Sequence, residues 1–245
     1  MRLLLRTIKN GLALLFKGDL REIGVRARIV LGQIDLKNVT TEELNLPADR
    51  AHSYADSGGD ALESVFSAFR ITPADSVIDF GSGKGGALIT LAKFPFGRIT
   101  GVEMSPVLAE IARKNLALLK IDCVDIVCCD ATLYGELDRY NYVYLFNPFP
   151  GQVMRGVIRN LEESVARHPR KVTIVYLNPV CHEEVVAGSV FYKVKELDHP
   201  EHAYFVYANR SRSRSGNRPV AGFGRPMDNV HTKEACRQVE VRYVG

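Results

Sequence analysis

Val77-Ile78-Asp79-Phe80-Gly81-Ser82-Gly83-Lys84-Gly85-Gly86 starts as an apolar run, reaches an acid and breaks into a glycine-rich turn. Ala87, Leu88, Ile89, Leu91 and Ala92 then return at helical spacing. The stretch therefore predicts a strand, a loop and a helix. Glycines let a backbone turn sharply and approach a bound molecule, and the first turn of the next helix presents unpaired N–H groups, so the loop suits a nucleotide-type ligand. A triphosphate-gripping loop would need glycine at 78 and Ser or Thr at 85, where this chain has Ile and Gly. The dinucleotide pattern G-x-G-x-x-G is met by Gly81, Gly83 and Gly86, and D-x-G-x-G-x-G is met by Asp79, Gly81, Gly83 and Gly85.

Further strands are expected downstream at Arg98 to Val102, Val124 to Cys129, Tyr142 to Phe146 and Val172 to Leu177. They end at Glu103, at Asp130-Ala131-Thr132, at Asn147-Pro148-Phe149-Pro150 and at Asn178-Pro179. Helical faces lie between them, with Ser105 and Pro106 as N-cap and first residue of one helix. Asp60 is expected to cap a helix carrying Leu62, Val65, Phe66 and Phe69. Parallel strands need such crossovers, so the pattern predicts a doubly wound α/β sheet. Val190 to Leu197 and Ala203 to Ala208 are separated by only five residues, which makes a hairpin and turns one strand antiparallel. Ligands of such sheets bind beyond the carboxyl ends of the strands, where Asp79, Glu103, Asp130 and Asn147 all fall.

Over roughly residues 54 to 208, this loop and these strand ends resemble the class I S-adenosylmethionine-dependent methyltransferases. The resemblance implies a Rossmann-like, seven-stranded, mostly parallel sheet with a C-terminal antiparallel hairpin strand. It divides the chain into an N-terminal helical extension (1–50), an S-adenosylmethionine-binding domain (51–208) and a basic C-terminal tail (209–245). Glu103, 22 residues after Gly81, would accept the ribose hydroxyls. Asp130 would accept from the adenine amine, with Ala131 offering a backbone N–H, or else would cap a turn. Gly81 and Gly83 would pass beneath the methionine and ribose, and Asp79 would hold the loop or face the cofactor's ammonium group. Ser82, Gly85 and Met104 complete that set, and Tyr54 and Ser57 belong to the segment that closes over the methionine end. Lys84 has no required role and is expected to face solvent.

Asn147-Pro148-Phe149-Pro150 resembles the [D/N/S]-P-P-[Y/F] motif of nitrogen methyltransferases, in which the Asn oxygen accepts the target's N–H. Phe149 stands where that motif has its second proline, and Pro150 where it has its aromatic. Asn-Pro is also a plain turn signal. A general base serves only an acceptor that must lose a proton. His182 is the best-placed candidate and His52 the weaker one. The reading is a methyltransferase acting on an N or O acceptor, with a small molecule or glycan favoured. A protein lysine-type acceptor, a binding-only module and an NAD-dependent oxidoreductase are its rivals, and Glu103 alone does not separate the cofactors.

The 245 residues carry a net charge of +4, unevenly spread. Residues 1–28 and 209–245 each carry +5, which leaves the body at −6 and disfavours nucleic acid as a partner. Residues 1–32 have one apolar helical face with basic neighbours, fit for packing on the domain, for a dimer contact or for a peripheral membrane contact. Five cysteines without a C-x-x-C pair point to a reducing, cytoplasmic setting, and no His/Cys spacing suggests a metal.

Overall fold

The computed structural model describes residues 32–47, 49–198 and 202–210, together with Gly24, Ala27 and Arg28. The expected basic tail beyond Arg210 and nearly all of the expected N-terminal helix lie outside the described residues. The elements are α1 (Asp60–Ser67), β1 (Ser76–Phe80), α2 (Gly86–Leu91), β2 (Arg98–Glu103), α3 (Pro106–Leu118) and β3 (Val124–Cys128). They continue with β4 (Tyr142–Phe146), α4 (Gly151–Arg167), β5 (Thr173–Leu177), α5 (His182–Val186), β6 (Phe191–Leu197) and β7 (Tyr204–Asn209).

One seven-stranded sheet runs β3-β2-β1-β4-β5-β7-β6. The first five strands pair in parallel, β7 lies antiparallel to β5, and β6 lies antiparallel to β7. This is the expected mostly parallel α/β sheet with its C-terminal hairpin. The winding reverses between β1 and β4, where strand order in space departs from order in sequence.

Alternation along each strand splits the core into two layers, because neighbouring side chains point to opposite faces. Ile78, Phe80, Val143, Leu145, Ile174 and Tyr176 face Val153, Met154, Val157, Ile158 and Leu161 of α4. Val77, Ile99, Tyr144 and Val175 face Leu62, Val65 and Phe66 of α1 and Leu88 and Leu91 of α2. Both faces of the central strands are covered, so those strands read as apolar runs in the sequence. Phe66 anchors the second layer, with ring centroids of Phe69, Phe94, Phe96, Tyr142 and Tyr144 5.9 to 6.5 Å away.

Ser105 caps α3 as expected, its Oγ accepting from the Leu108 N–H at 3.3 Å, and Pro106 follows at the first helical position. Ser105→Ala should cost about 1 kcal/mol. Urea unfolding would show this as a lower midpoint with an unchanged slope.

The expected Asp60 cap is replaced by Gly59. Gly59 enters α1 at φ 94° and ψ −159°, a conformation closed to side-chain-bearing residues, and its N–H donates to Thr90 Oγ1 at 2.7 Å. Asp60 instead sits in the first turn, where its charge favours the helix N-terminus.

Candidate active site

Beyond the carboxyl ends of β1, β2 and β4 lies a cavity of about 250 Å³. Three groups of residues wall it: the glycine loop, the residues that end the strands, and a strap of irregular chain comprising Arg50 to Ser57, with Leu46 before it. The strap is held to the domain at several points. Arg50 pairs with Asp130, the His52 N–H donates to Pro148 O at 3.1 Å, and Tyr54 forms an antiparallel bridge with Val39.

Asp79 is 3 % exposed at the end of β1, opposite Gly101 of β2 and Tyr144 of β4. Burial, and then the neighbouring Glu103 charge, push its carboxyl up to about 8. A buried acid held neutral ionises readily when a cation arrives beside it.

Glu103 ends β2, buried, with Oε2 accepting from the Gly83 N–H and Oε1 from the Ser105 N–H, both at 2.8 Å. Burial raises this carboxyl against those hydrogen bonds. Each oxygen keeps a second lone pair, so a ligand diol can still be accepted.

Gly83 is a position that only glycine fits. Its φ is 53°, and a Cβ there would lie 2.1 Å from the Tyr54 ring. The strap tyrosine is thus laid directly on the loop. Burial, then the surrounding acids Asp56, Asp35, Asp79 and Glu103, drive the Tyr54 hydroxyl upward, so it stays protonated.

Of the residues expected from the sequence, Tyr54, Ser57, Asp79, Gly81, Ser82, Gly83, Glu103, Met104, Asp130, Ala131 and Asn147 come together around the cavity. Gly85 does not line it. It is the left-handed N-cap of α2, facing Ala112 of α3, and Gly86 lines the cavity in its place. His182 is absent from the lining as well. Its Nδ1 meets the Tyr207 hydroxyl at 2.9 Å, and its ring packs against Phe205 at 5.4 Å.

Lys84 overturns the solvent-facing expectation. It is 2 % exposed, with Nζ bonded to Asp35 Oδ1 at 2.9 Å and 5.7 Å from the Tyr54 ring centroid. Burial works to raise the Asp35 carboxyl, but the Lys84 hydrogen bond and the Lys37 N–H outweigh it and hold it below the usual range.

Asp130 combines the cap with a second contact. Its Oδ1 accepts from the Thr132 N–H and hydroxyl at 2.8 and 2.7 Å, and Oδ2 pairs with Arg50. Burial raises this carboxyl, and those partners together carry it below the ordinary value. An adenine amine at Asp130 would share the carboxylate with both.

Arg50, Asp56, Lys84 and Asn178 were not singled out as site residues by their sequence context. Asp56 is exposed and lines the cavity, its Oδ1 accepting from the Gly58 N–H at 3.1 Å. Asn147 and Asn178 share one geometry, with φ of 36° and 52°, so the repeated Asn-Pro is a repeated left-handed turn. Of these two asparagines, only Asn147 has a buried side-chain oxygen, Oδ1, without a hydrogen-bond partner among the described residues. The Ser82 hydroxyl and the Tyr54 hydroxyl share that condition in the same cavity.

Comparison with known proteins joins this geometry to a family. Residues 77–168 match the sequence model of a family described as a methyltransferase domain. The ribosomal protein L11 methyltransferase of Pelobacter propionicus is 34% identical over 94 residues, which cover 38% of this chain and 30% of the relative. The chain therefore spans less than a third of that curated relative's length. Among solved structures, the candidate methyltransferase yhhF of Escherichia coli gives a TM-score of 0.52 at 22% identity, covering 64% of this chain and 90% of that one. A structure from the conversion of a disulfide bond into a thioacetal group during echinomycin biosynthesis gives 0.52 at 15% identity, covering 64% and 84%. At those identities the likeness is one of fold. Residues 77–168 supply β1 to β4 and α4, so the stretch that matches a methyltransferase domain is the one that brings the glycine loop and the strand ends to the cavity.

Proposed function

We propose that the protein transfers a methyl group from S-adenosylmethionine to a nitrogen or oxygen atom of a small-molecule or glycan-type acceptor. Asn147 carries the reading. Its buried Oδ1 lacks a partner and stands in the wall shared with Asp79 and Glu103, so a hydrogen-bond acceptor waits where an N–H or O–H can be received.

The residues fit the cofactor. Glu103 has free lone pairs for the ribose hydroxyls, Asp79 is a buried acid suited to the ammonium group, and Tyr54 on Gly83 closes a cradle that any Cβ would fill. When bound, the cofactor supplies a methyl group on a cationic sulfur, already activated for attack. The chain has to orient the acceptor and exclude water, and the strap and Phe146 to Phe149 both line the cavity where that is done. A cavity of about 250 Å³ favours a small acceptor or the end of a chain over a folded surface.

A protein side chain, such as a lysine amine, is the second reading. The L11 methyltransferase similarity favours it, over the 94 residues it covers.

Incubating extracts with the chain and methyl-labelled cofactor, before and after protease treatment, separates the two. Label is expected in a protease-resistant, low-mass fraction. Label in a protein band that disappears with protease would replace the first reading by the second. Tighter calorimetric binding of NAD(H) than of S-adenosylhomocysteine would remove both.

A further inference from the structure

We infer that His52 is the base that takes the proton from the methyl acceptor, which makes that acceptor a hydroxyl or a protonated amine. The inference rests on the methyl-transfer reading above.

Three observations converge on this side chain. His52 lines the cavity and is exposed within it. Its Nδ1 lies 3.0 Å from the carbonyl oxygen of Asn147. A carbonyl oxygen only accepts, so the bond exists only with the proton on Nδ1. The neutral ring is thereby fixed in the tautomer that leaves a lone pair on Nε2, which no described residue engages. The His52 backbone N–H also donates to Pro148 O at 3.1 Å, so main chain and ring are both clasped to the turn that carries Asn147.

That clasp narrows the acceptor chemistry. The two carbonyls beside the Asn147 side chain, those of Asn147 and Pro148, already receive His52 donors. Asn147 Oδ1 remains the oxygen without a partner, and Nε2 is the second acceptor. A protonated amine has hydrogens for both groups, whereas a hydroxyl's one proton goes to Nε2. A hydroxyl passes that proton as its oxygen bonds to the methyl carbon, and an ammonium gives it up first to free the nitrogen lone pair. In both cases the electron pair of the breaking carbon–sulfur bond stays with sulfur. The imidazolium then loses that proton to water. Charged and titratable groups sharing the cavity are Arg50, Tyr54 and Asp56 on the strap, Asp79 and Glu103 at the strand ends, and Asp130.

The test has one arm that needs no acceptor. In protein labelled with nitrogen-15 histidine, long-range proton–nitrogen correlation spectra should show His52 with Nδ1 protonated and Nε2 bare above its titration midpoint. In the second arm, His52→Gln should bind S-adenosylhomocysteine within about twofold of the wild type while losing about 100-fold or more in labelling of extract acceptors. The acid limb of the wild-type pH–rate profile should fall at the midpoint read for His52 and vanish in His52→Asn as well as in His52→Gln.

A protonated Nε2 in the neutral ring overturns the inference, as does undiminished labelling by His52→Gln. A wild-type chain that fails to bind S-adenosylhomocysteine instead sinks the methyl-transfer reading, so the two failures are told apart.

Discussion

Replacing Asp79 by Asn should abolish most cofactor binding and at the same time make the empty protein more stable, with the gain larger at pH 8 than at pH 5. Both effects come from one buried carboxyl whose value is pushed up to about 8 by burial and by Glu103. In the unfolded chain an Asp ionises near 3.9. Between these values the folded state holds a proton that the unfolded state has lost. Stability therefore falls as pH rises from about 4 towards 8 and is level above. Asn removes that penalty without changing side-chain size. The midpoint of thermal unfolding should rise on the order of 5 °C more at pH 8 than at pH 5. Binding moves the other way, since removing one partner of a buried charge pair costs about 3–5 kcal/mol, or roughly 100-fold or more in affinity. Calorimetry with S-adenosylhomocysteine would read the affinity. In buffers of different ionisation enthalpy it should also show that the wild type releases a proton on binding at pH 7 and the variant does not. An equal thermal gain at both pH values would mean that Asp79 is not held neutral.

The central strands were legible because each is apolar on both faces and ends on a polar residue or a turn, a pattern that Ile78-Asp79, Val102-Glu103 and Phe146-Asn147 repeat. Asp79, Glu103 and Asn147 were legible for the same reason, since a parallel sheet brings its strand ends to one edge. Lys84 was not. Its partner Asp35 lies 49 residues earlier, in chain without periodicity, and no local pattern records that distance. Arg50 reaches Asp130 across 80 residues, with the same result. Gly85 and Gly86 were exchanged because a spacing motif counts glycines without saying which one caps the helix and which one faces the ligand. His182 follows β5 closely enough to suggest the cavity, but the left-handed turn at Asn178 and the start of α5 direct it to Tyr207.

The strap gives these misses a common origin. The family match begins at residue 77, yet Leu46 and Arg50 to Ser57 contribute one wall of the cavity. They hold it through Arg50–Asp130, His52–Asn147 and Tyr54–Gly83, and Lys84–Asp35 pins the chain just before them. The part that receives the cofactor is thus spelled in a recognisable motif. The part that closes over it is spelled in contacts across 30 to 100 residues. Contacts at that range leave no local pattern, so motif reading describes the loop and the strand ends and misses the strap.

Gly83→Ala tests the junction between the two parts and should be strongly damaging. The new Cβ would meet Tyr54 Cδ2 at 2.1 Å and Cε2 at 2.3 Å, far inside contact distance. A φ of 53° adds a left-handed cost of about 1 kcal/mol for alanine. Relief requires either the ring or the loop to move. If the loop moves, the Gly83 N–H leaves Glu103 Oε2, and the carboxylate set for the ribose loses one of its two anchors. If the ring moves, the strap loses the contact that seats it beside Lys84. Either way, S-adenosylhomocysteine affinity should fall about 100-fold or more, and the thermal midpoint should drop by about 5 °C or more. Tyr54→Ala separates the clash from the backbone cost. In the Tyr54→Ala background the Gly83→Ala change should cost only the left-handed term, about 1 kcal/mol, so the two substitutions should be strongly non-additive. Additive losses would show that Tyr54 does not rest on the loop, and would leave the strap without its central contact.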